Sequence, residues 1–212
     1  MANTLVKVGL LLLGVCLLAA VPVFADSTTT FTLVGTLGDI GSKDTFTSGS
    51  LSLVATGYSA PGMTADMWAK SEGPIETGIG LASEIDHEIS GTKFIQLNLT
   101  QILAVHPYSV VLVIDSIEAG EGYSVWGSNT AGAGPTGTPL ASNQTSNKFT
   151  LPDLGSFNYI SISAATLDPS VFSNVTLEDV DVTTPEPSSA SMLLLGLVAL
   201  VSAGALGKKL IA

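Results

Sequence analysis

The chain has no arginine, one cysteine and two histidines among its 212 residues. The cysteine, Cys16, lies in a leading segment that reads as removable, so the body carries no thiol, no disulfide and no cysteine-based metal site. His87 and His106 form no His-x-x-x-His pair, and with no cysteine beside them the usual zinc spacings are excluded. No serine sits in a Gly-x-Ser-x-Gly elbow; Gly122-Tyr123-Ser124-Val125-Trp126 fails at its last position. There is no acidic loop with EF-hand spacing, no internal repeat and no amphipathic helix of useful length. Whether two carboxylates form a glycosidase pair depends on a separation that only the fold sets.

Charge is equally lopsided. Residues 26–184 hold four cations (Lys43, Lys70, Lys93, Lys148) against 17 carboxylates, a formal balance of 4 − 17 = −13. Such a body is repelled by nucleic-acid phosphates and anionic lipids, so neither is an expected partner. Neutral sugars, divalent cations or simple solubility are the readings this charge leaves.

What is present is concentrated at the two ends. Lys7 supplies a positive n-region, Val8 to Ala20 an apolar run of 13 residues, and Val23-Phe24-Ala25 a signal-peptidase site. Cleavage between Ala25 and Asp26 would remove residues 1–25 as a signal peptide. At the other end, Pro185-Glu186-Pro187 precedes 19 uncharged residues, Ser189 to Gly207, and then Lys208-Lys209. At ~1.5 Å rise per residue such a run approaches the ~30 Å hydrocarbon core of a bilayer, and a helix there satisfies its own backbone. The expected transmembrane helix covers 190–206, with the lysines resisting translocation. Both prolines fix φ and disfavour helix before them, so the tripeptide should be extended and accessible. These features resemble the PEP-CTERM sorting signals of Gram-negative bacteria. The resemblance implies that residues 185–212 are recognised by an exosortase-type membrane protease, and that the chain is exported alongside exopolysaccharide. An ordinary C-terminal anchor is the plainer reading.

The body, residues 26–184, has enough length for one core. Leu51–Ala55, Phe94–Leu99, Val110–Ile114, Tyr123–Trp126, Tyr159–Ser163 and Val175–Val182 are short, β-branched-rich and partly alternating, and Gly, Ser, Asn and Pro clusters divide them. The expectation is an all-β, antiparallel, jelly-roll-like β-sandwich. Gly127 to Asn147 reads as a long mobile loop, and Ile85 to Ile89 as the one stretch able to make a helical turn. The segment Glu76-Thr77-Gly78-Ile79-Gly80-Leu81, then Glu84 to Ile89, resembles a block of secreted PEP-CTERM domains: a glycine-rich turn, an acidic segment and a core strand. Leu177 to Val182 resembles the last strand of galactose-binding-like jelly rolls.

Two site hypotheses follow. Calcium wants several hard oxygens on a wrapping loop, and Glu76, Glu84, Asp86, Glu88 and Asp179 offer them; a solvated acidic rim is the bland alternative. Aromatic rings that stack on sugar faces could come from Trp126, Tyr123 and Trp68, with Tyr58 and Tyr108 as further candidates, against ordinary core packing. The sequence therefore predicts a non-enzymatic, exported cell-surface or matrix protein associated with exopolysaccharide or biofilm. The competing reading is a carbohydrate-binding module, with calcium as a candidate cofactor.

Overall fold

Alternation of apolar and polar residues puts one face of each strand inside and the other outside, and most of this chain obeys that period. The computed structural model describes residues 26–73, 76–168 and 173–185. The strands are β1 (Asp26–Thr32), β2 (Gly38–Gly41), β3 (Lys43–Ser48), β4 (Leu51–Ala60), β5 (Met63–Thr64), β6 (Met67–Ser71), β7 (Thr77–Leu81) and β8 (Ile89–Ser90). They continue as β9 (Phe94–Asn98), β10 (Ser109–Asp115), β11 (Tyr123–Ser128), β12 (Thr138–Gln144), β13 (Lys148–Thr150), β14 (Tyr159–Ala164) and β15 (Asn174–Pro185).

They pair antiparallel in two sheets. The first runs β13-β10-β15-β7-β6-β2, with β1 and β8 also on β15; the second runs β12-β11-β14-β9-β4-β3, with β5 on β4. From β9 onward the described chain changes sheet at every connection except β11 to β12. The sheets enclose one core. Val110, Leu112, Ile114, Leu177, Val180 and Val182 from the first meet Leu53, Ala55, Ile95, Leu97, Ile160 and Ile162 from the second. Thr28–Thr184 forms one compact unit.

All six strands expected from alternation are present. Two expectations are corrected. Gly127 to Asn147 is not one long loop: it holds the end of β11, a 3-10 turn at Gly134–Thr136 and the strand β12. That strand is an exposed edge containing Pro139, with two register shifts against β11, so its composition gives no strand signal. The glycine-rich segment Thr77–Leu81 is a strand, β7, rather than a turn. Its glycines serve close approach: a Cβ on Gly78 would lie 2.6 Å from the Leu177 carbonyl oxygen of β15. Ile85–His87 makes the expected single turn, of 3-10 type. A four-residue helix, Thr100–Leu103, is an addition. Among the described residues no helix is long and apolar enough to cross a membrane; residues 1–25, expected to be a signal peptide, and the expected helix 190–206 lie outside them.

Candidate functional site

Two hollows lie on opposite faces of the sandwich. The first is acidic. On the β6–β7 hairpin Lys70 pairs opposite Gly78 and Trp68 opposite Gly80. The acidic segment that follows β7 folds back over this face, and a side chain on Gly80 would collide with the His87 carbonyl. Asp86 (φ 59°) and His87 (φ 56°) turn through left-handed conformations to do so, which L-residues adopt at a cost. Trp68 stacks on His87 with centroids 4.1 Å apart. The fold-back delivers Glu88, 3% exposed, onto Lys70, 4% exposed. Lys70 Nζ donates to Glu88 Oε1 and lies 3.4 Å from Glu76 Oε2. Burial alone would lower the Lys70 pKa, but its hydrogen bond to and charge interaction with Glu88, reinforced by Glu76, hold it above the ordinary lysine value.

Beside this pair lies a cavity of ≈ 330 Å³ lined by Glu76, Asp86, Glu88, Asp115, Ser116 and Glu118, among others. Several of the local acids are already engaged. Asp115 Oδ2 accepts the Thr77 amide at 2.9 Å. The buried Glu121 accepts the amides of Glu118 (2.8 Å) and Asn174 (3.3 Å). A cation entering here would compete with Lys70 for Glu88 and Glu76.

The second hollow is a groove on the outer face of the other sheet. Registry sets Thr56 opposite Gln96, Gln96 opposite Ser161, and Asn98 between Val54 and Tyr159. Opposed residues share a face at about 5 Å spacing, so hydroxyls, amides and rings form one surface. It encloses ≈ 320 Å³, and its lining includes Lys43, Thr56, Tyr58, Gln96, Asn98 and Tyr159 but no aspartate or glutamate. Tyr58 stacks on Phe94 with centroids 4.8 Å apart. Burial, with the charge of nearby Tyr159, pushes the Tyr58 phenol above its ordinary 10.0, so the Tyr58 ring faces the groove as a neutral phenol. The loop after β11 forms a wall. Gly132 N donates to Gln96 Oε1 at 2.7 Å, Gln96 Nε2 donates to Ser161 Oγ at 3.1 Å, and Gly62 N donates to the Gly132 carbonyl at 3.0 Å. Gln96, 2% exposed, is thereby held at both ends of its amide.

The expected site residues divide between these places. Of the calcium set, Glu76, Asp86 and Glu88 line the acidic cavity together. Glu84 instead accepts from Lys93 Nζ and Ser90 Oγ. Asp179 stands on β15 near Asp181 and Lys148, hydrogen-bonded by Thr32, with Oδ1 buried and unpartnered among the described residues. No group of three or more His, Cys, Asp or Glu among the described residues is arranged to hold a metal ion. The aromatic set is not brought together. Tyr123 is a correction: it points into the core, fully buried, its hydroxyl donating to the Ser146 carbonyl at 2.7 Å, its pKa pushed by burial to about 12. Trp68 is on the other sheet, against His87. Trp126 sits on the groove's face, opposite Ser161, but is not among the lining residues. Tyr58 does line it. Pro185 ends β15 and Asp26 begins β1; Ala25, Glu186, Pro187, Lys208 and Lys209 lie outside the described residues. Tyr159, Gln96, Asn98 and Thr56 are additions. Their signal was the polar half of each alternating strand, read for the core it implied and not for the face opposite.

The fold and this face define a two-sheet antiparallel β-sandwich with a polar–aromatic groove across one sheet. No family model matches the chain, and no curated protein matches it. A solved structure described as a new low affinity xylan binding module, CBM86, from the gut symbiont Roseburia intestinalis is similar at 11% identity, over 76% of this chain and 96% of its own. The TM-score of 0.27 is too low for that likeness to carry an argument.

Proposed function

We propose that this chain is an exported, non-enzymatic protein of the surface or extracellular matrix of a Gram-negative bacterium, and that its sandwich associates with polysaccharide. The groove on the second sheet carries this reading. Sugars are recognised by aromatic faces together with hydroxyl and amide groups that match their own hydroxyls. Thr56, Asn98, Tyr58 and Tyr159 supply that combination on one surface. Glycoside hydrolysis needs two carboxyl groups flanking the scissile bond, roughly 5–9.5 Å apart. A groove lined by no acid supports a binding role over a hydrolytic one. The repeated crossing of the chain between sheets supports the jelly-roll-like topology.

Delivery rests on the two ends. Signal peptidase cuts between Ala25 and Asp26, the helix 190–206 holds the precursor in the inner membrane, and an exosortase-type protease acts at Pro185-Glu186-Pro187. Mass spectrometry of the mature C-terminus tests this: a terminus near Glu186 supports sorting, and an intact Ala212 supports a plain anchor. A glycan array tests the groove. Broad, weak retention fits a matrix component, one saccharide-specific signal fits a dedicated carbohydrate-binding module, and no signal on any glycan sinks both. Calcium is a separate question: a cation at Glu76, Asp86 and Glu88 must displace Lys70, and titration of calcium into chelator-treated protein that neither releases heat nor raises the melting temperature retires it. Trp126→Ala should leave retention intact, because the ring does not line the groove.

A further inference from the structure

We infer that the groove takes a polysaccharide segment bearing one carboxylate, a uronate-type sugar, and that Lys43 receives it. This rests on the saccharide reading of the groove and adds the ligand's charge. Three of the body's four lysines have acidic company. Lys70 is paired with Glu88 and Glu76, and Lys93 with Glu84. Lys148 interacts electrostatically with Glu178 and Asp179. Lys43 makes no ion pair with any described residue, stands exposed on the edge strand β3, and lines the groove. Its neighbour Asp44 belongs to the opposite face by strand alternation and accepts the Thr45 amide at 2.7 Å.

In a body whose acids outnumber its cations 17 to four, a groove without acids that keeps the unpaired cation is set apart from the rest of the surface. The lining strands follow the order β14-β9-β4-β3, so the surface spans about 14 Å from Tyr159 to Lys43 at ordinary strand spacing. A sugar chain lying across it places neutral units over Tyr159, Asn98, Gln96 and Thr56 and one unit at the lysine. An ammonium is a compact point charge that forms a short, charge-assisted hydrogen bond with a carboxylate. At physiological salt, fields from carboxylates more than about 8 Å away are largely screened, so the local lysine decides. The acidic surface beyond then disfavours a polymer charged at every unit. The fitting ligand is a mostly neutral chain with sparse uronates.

Affinity electrophoresis of the full chain in mild detergent tests this with gellan and xanthan, each as supplied and after carboxyl reduction to the neutral polymer. The native polymers should bind the wild-type chain about tenfold more tightly than their reduced forms at low salt, the scale of one charged hydrogen bond, and the margin should shrink as salt rises. Lys43→Gln, on an exposed edge, should keep its melting temperature and bind both forms as the wild type binds the reduced one. Equal retention of native and reduced polymers by the wild type, or a preference that survives Lys43→Gln, overturns the uronate assignment and leaves the groove a saccharide site. No retention on any polymer, or retention unchanged by Tyr159→Ala in a folded variant, overturns the saccharide reading itself.

Discussion

The cavity over the first sheet and the groove on the second enclose nearly the same space, ≈ 330 and ≈ 320 Å³, and their linings are chemical opposites. The cavity collects acids, yet three of them are spent within the protein, Glu88 and Glu76 on Lys70 and Asp115 on Thr77 N. The groove has one cation, two tyrosines and a set of amides and hydroxyls. Gln96 is consumed by Gly132 of the loop wall and by Ser161 of β14, while Asn98, Thr56 and Tyr159 remain partly exposed. A density of charged side chains is therefore a poor guide to a ligand site. The acids of the first sheet hold a fold-back in place, and the quieter face of the second has capacity to spare for a partner.

The contrast can be tested hardest at Lys70. If the acidic cavity is structural, Lys70→Met strands Glu88 without its cation and should cost about 3–5 kcal/mol, a large part of the stability of an ordinary domain. Urea denaturation measures the loss, and adding Glu88→Leu should recover most of it, because two apolar groups replace the pair without leaving a buried charge. The double variant should bind polysaccharide as the wild type does. A double variant that folds and no longer binds would show that the two faces are coupled.

Next in size is Gly80→Ala. The added methyl group meets the backbone of His87 and Glu88, not a flexible side-chain tip, so the fold-back must lift. Overpacking of this kind costs typically about 1–3 kcal/mol. Thermal unfolding gives the loss, and weaker Trp68 stacking on His87 should appear as a changed tryptophan fluorescence. A melting temperature equal to wild type would show that the glycine is not what admits the acidic segment.

These two positions also mark where sequence reasoning stopped. Strand identity was legible because Ile95-Gln96-Leu97 and Ile160-Ser161-Ile162 alternate with the period of a strand, and the sandwich follows from burying that many apolar faces. Pairing was not legible. Nothing local says that β9 lies between β4 and β14, and that adjacency is what puts Gln96, Asn98, Thr56 and Tyr159 on one surface. The acidic run Glu84 to Glu88 suggested a metal loop because its carboxylates are close in sequence. In the fold Glu84 turns to Lys93, and Glu88 turns to a lysine 18 residues earlier. Tyr123 was a candidate ring for stacking on sugar, and the inward parity it shares with Val125 sends it to the core.

The smallest expected effect separates the two faces by pH. Burial raises the pKa of Glu178, helped by the charges of Asp179 and Asp115, and burial likewise raises that of Asp179, with Asp181 adding to it. A carboxyl group whose folded pKa exceeds its unfolded one binds more protons when folded. Its contribution to stability is therefore fully present below the unfolded value near 4 and is lost as pH rises through the folded value. These two groups should add to the melting temperature as pH falls from 7 toward their unfolded values near 4, and Glu178→Gln with Asp179→Asn should flatten that rise. Both groups are partly exposed, so solvent screening keeps the difference on the order of one or two degrees. The groove contains no carboxyl group, so retention on a neutral, carboxyl-reduced polysaccharide should not change over the same interval. A binding profile that follows the melting profile would mean that the acids of the first sheet act on the groove, and the division of labour between the faces would fail.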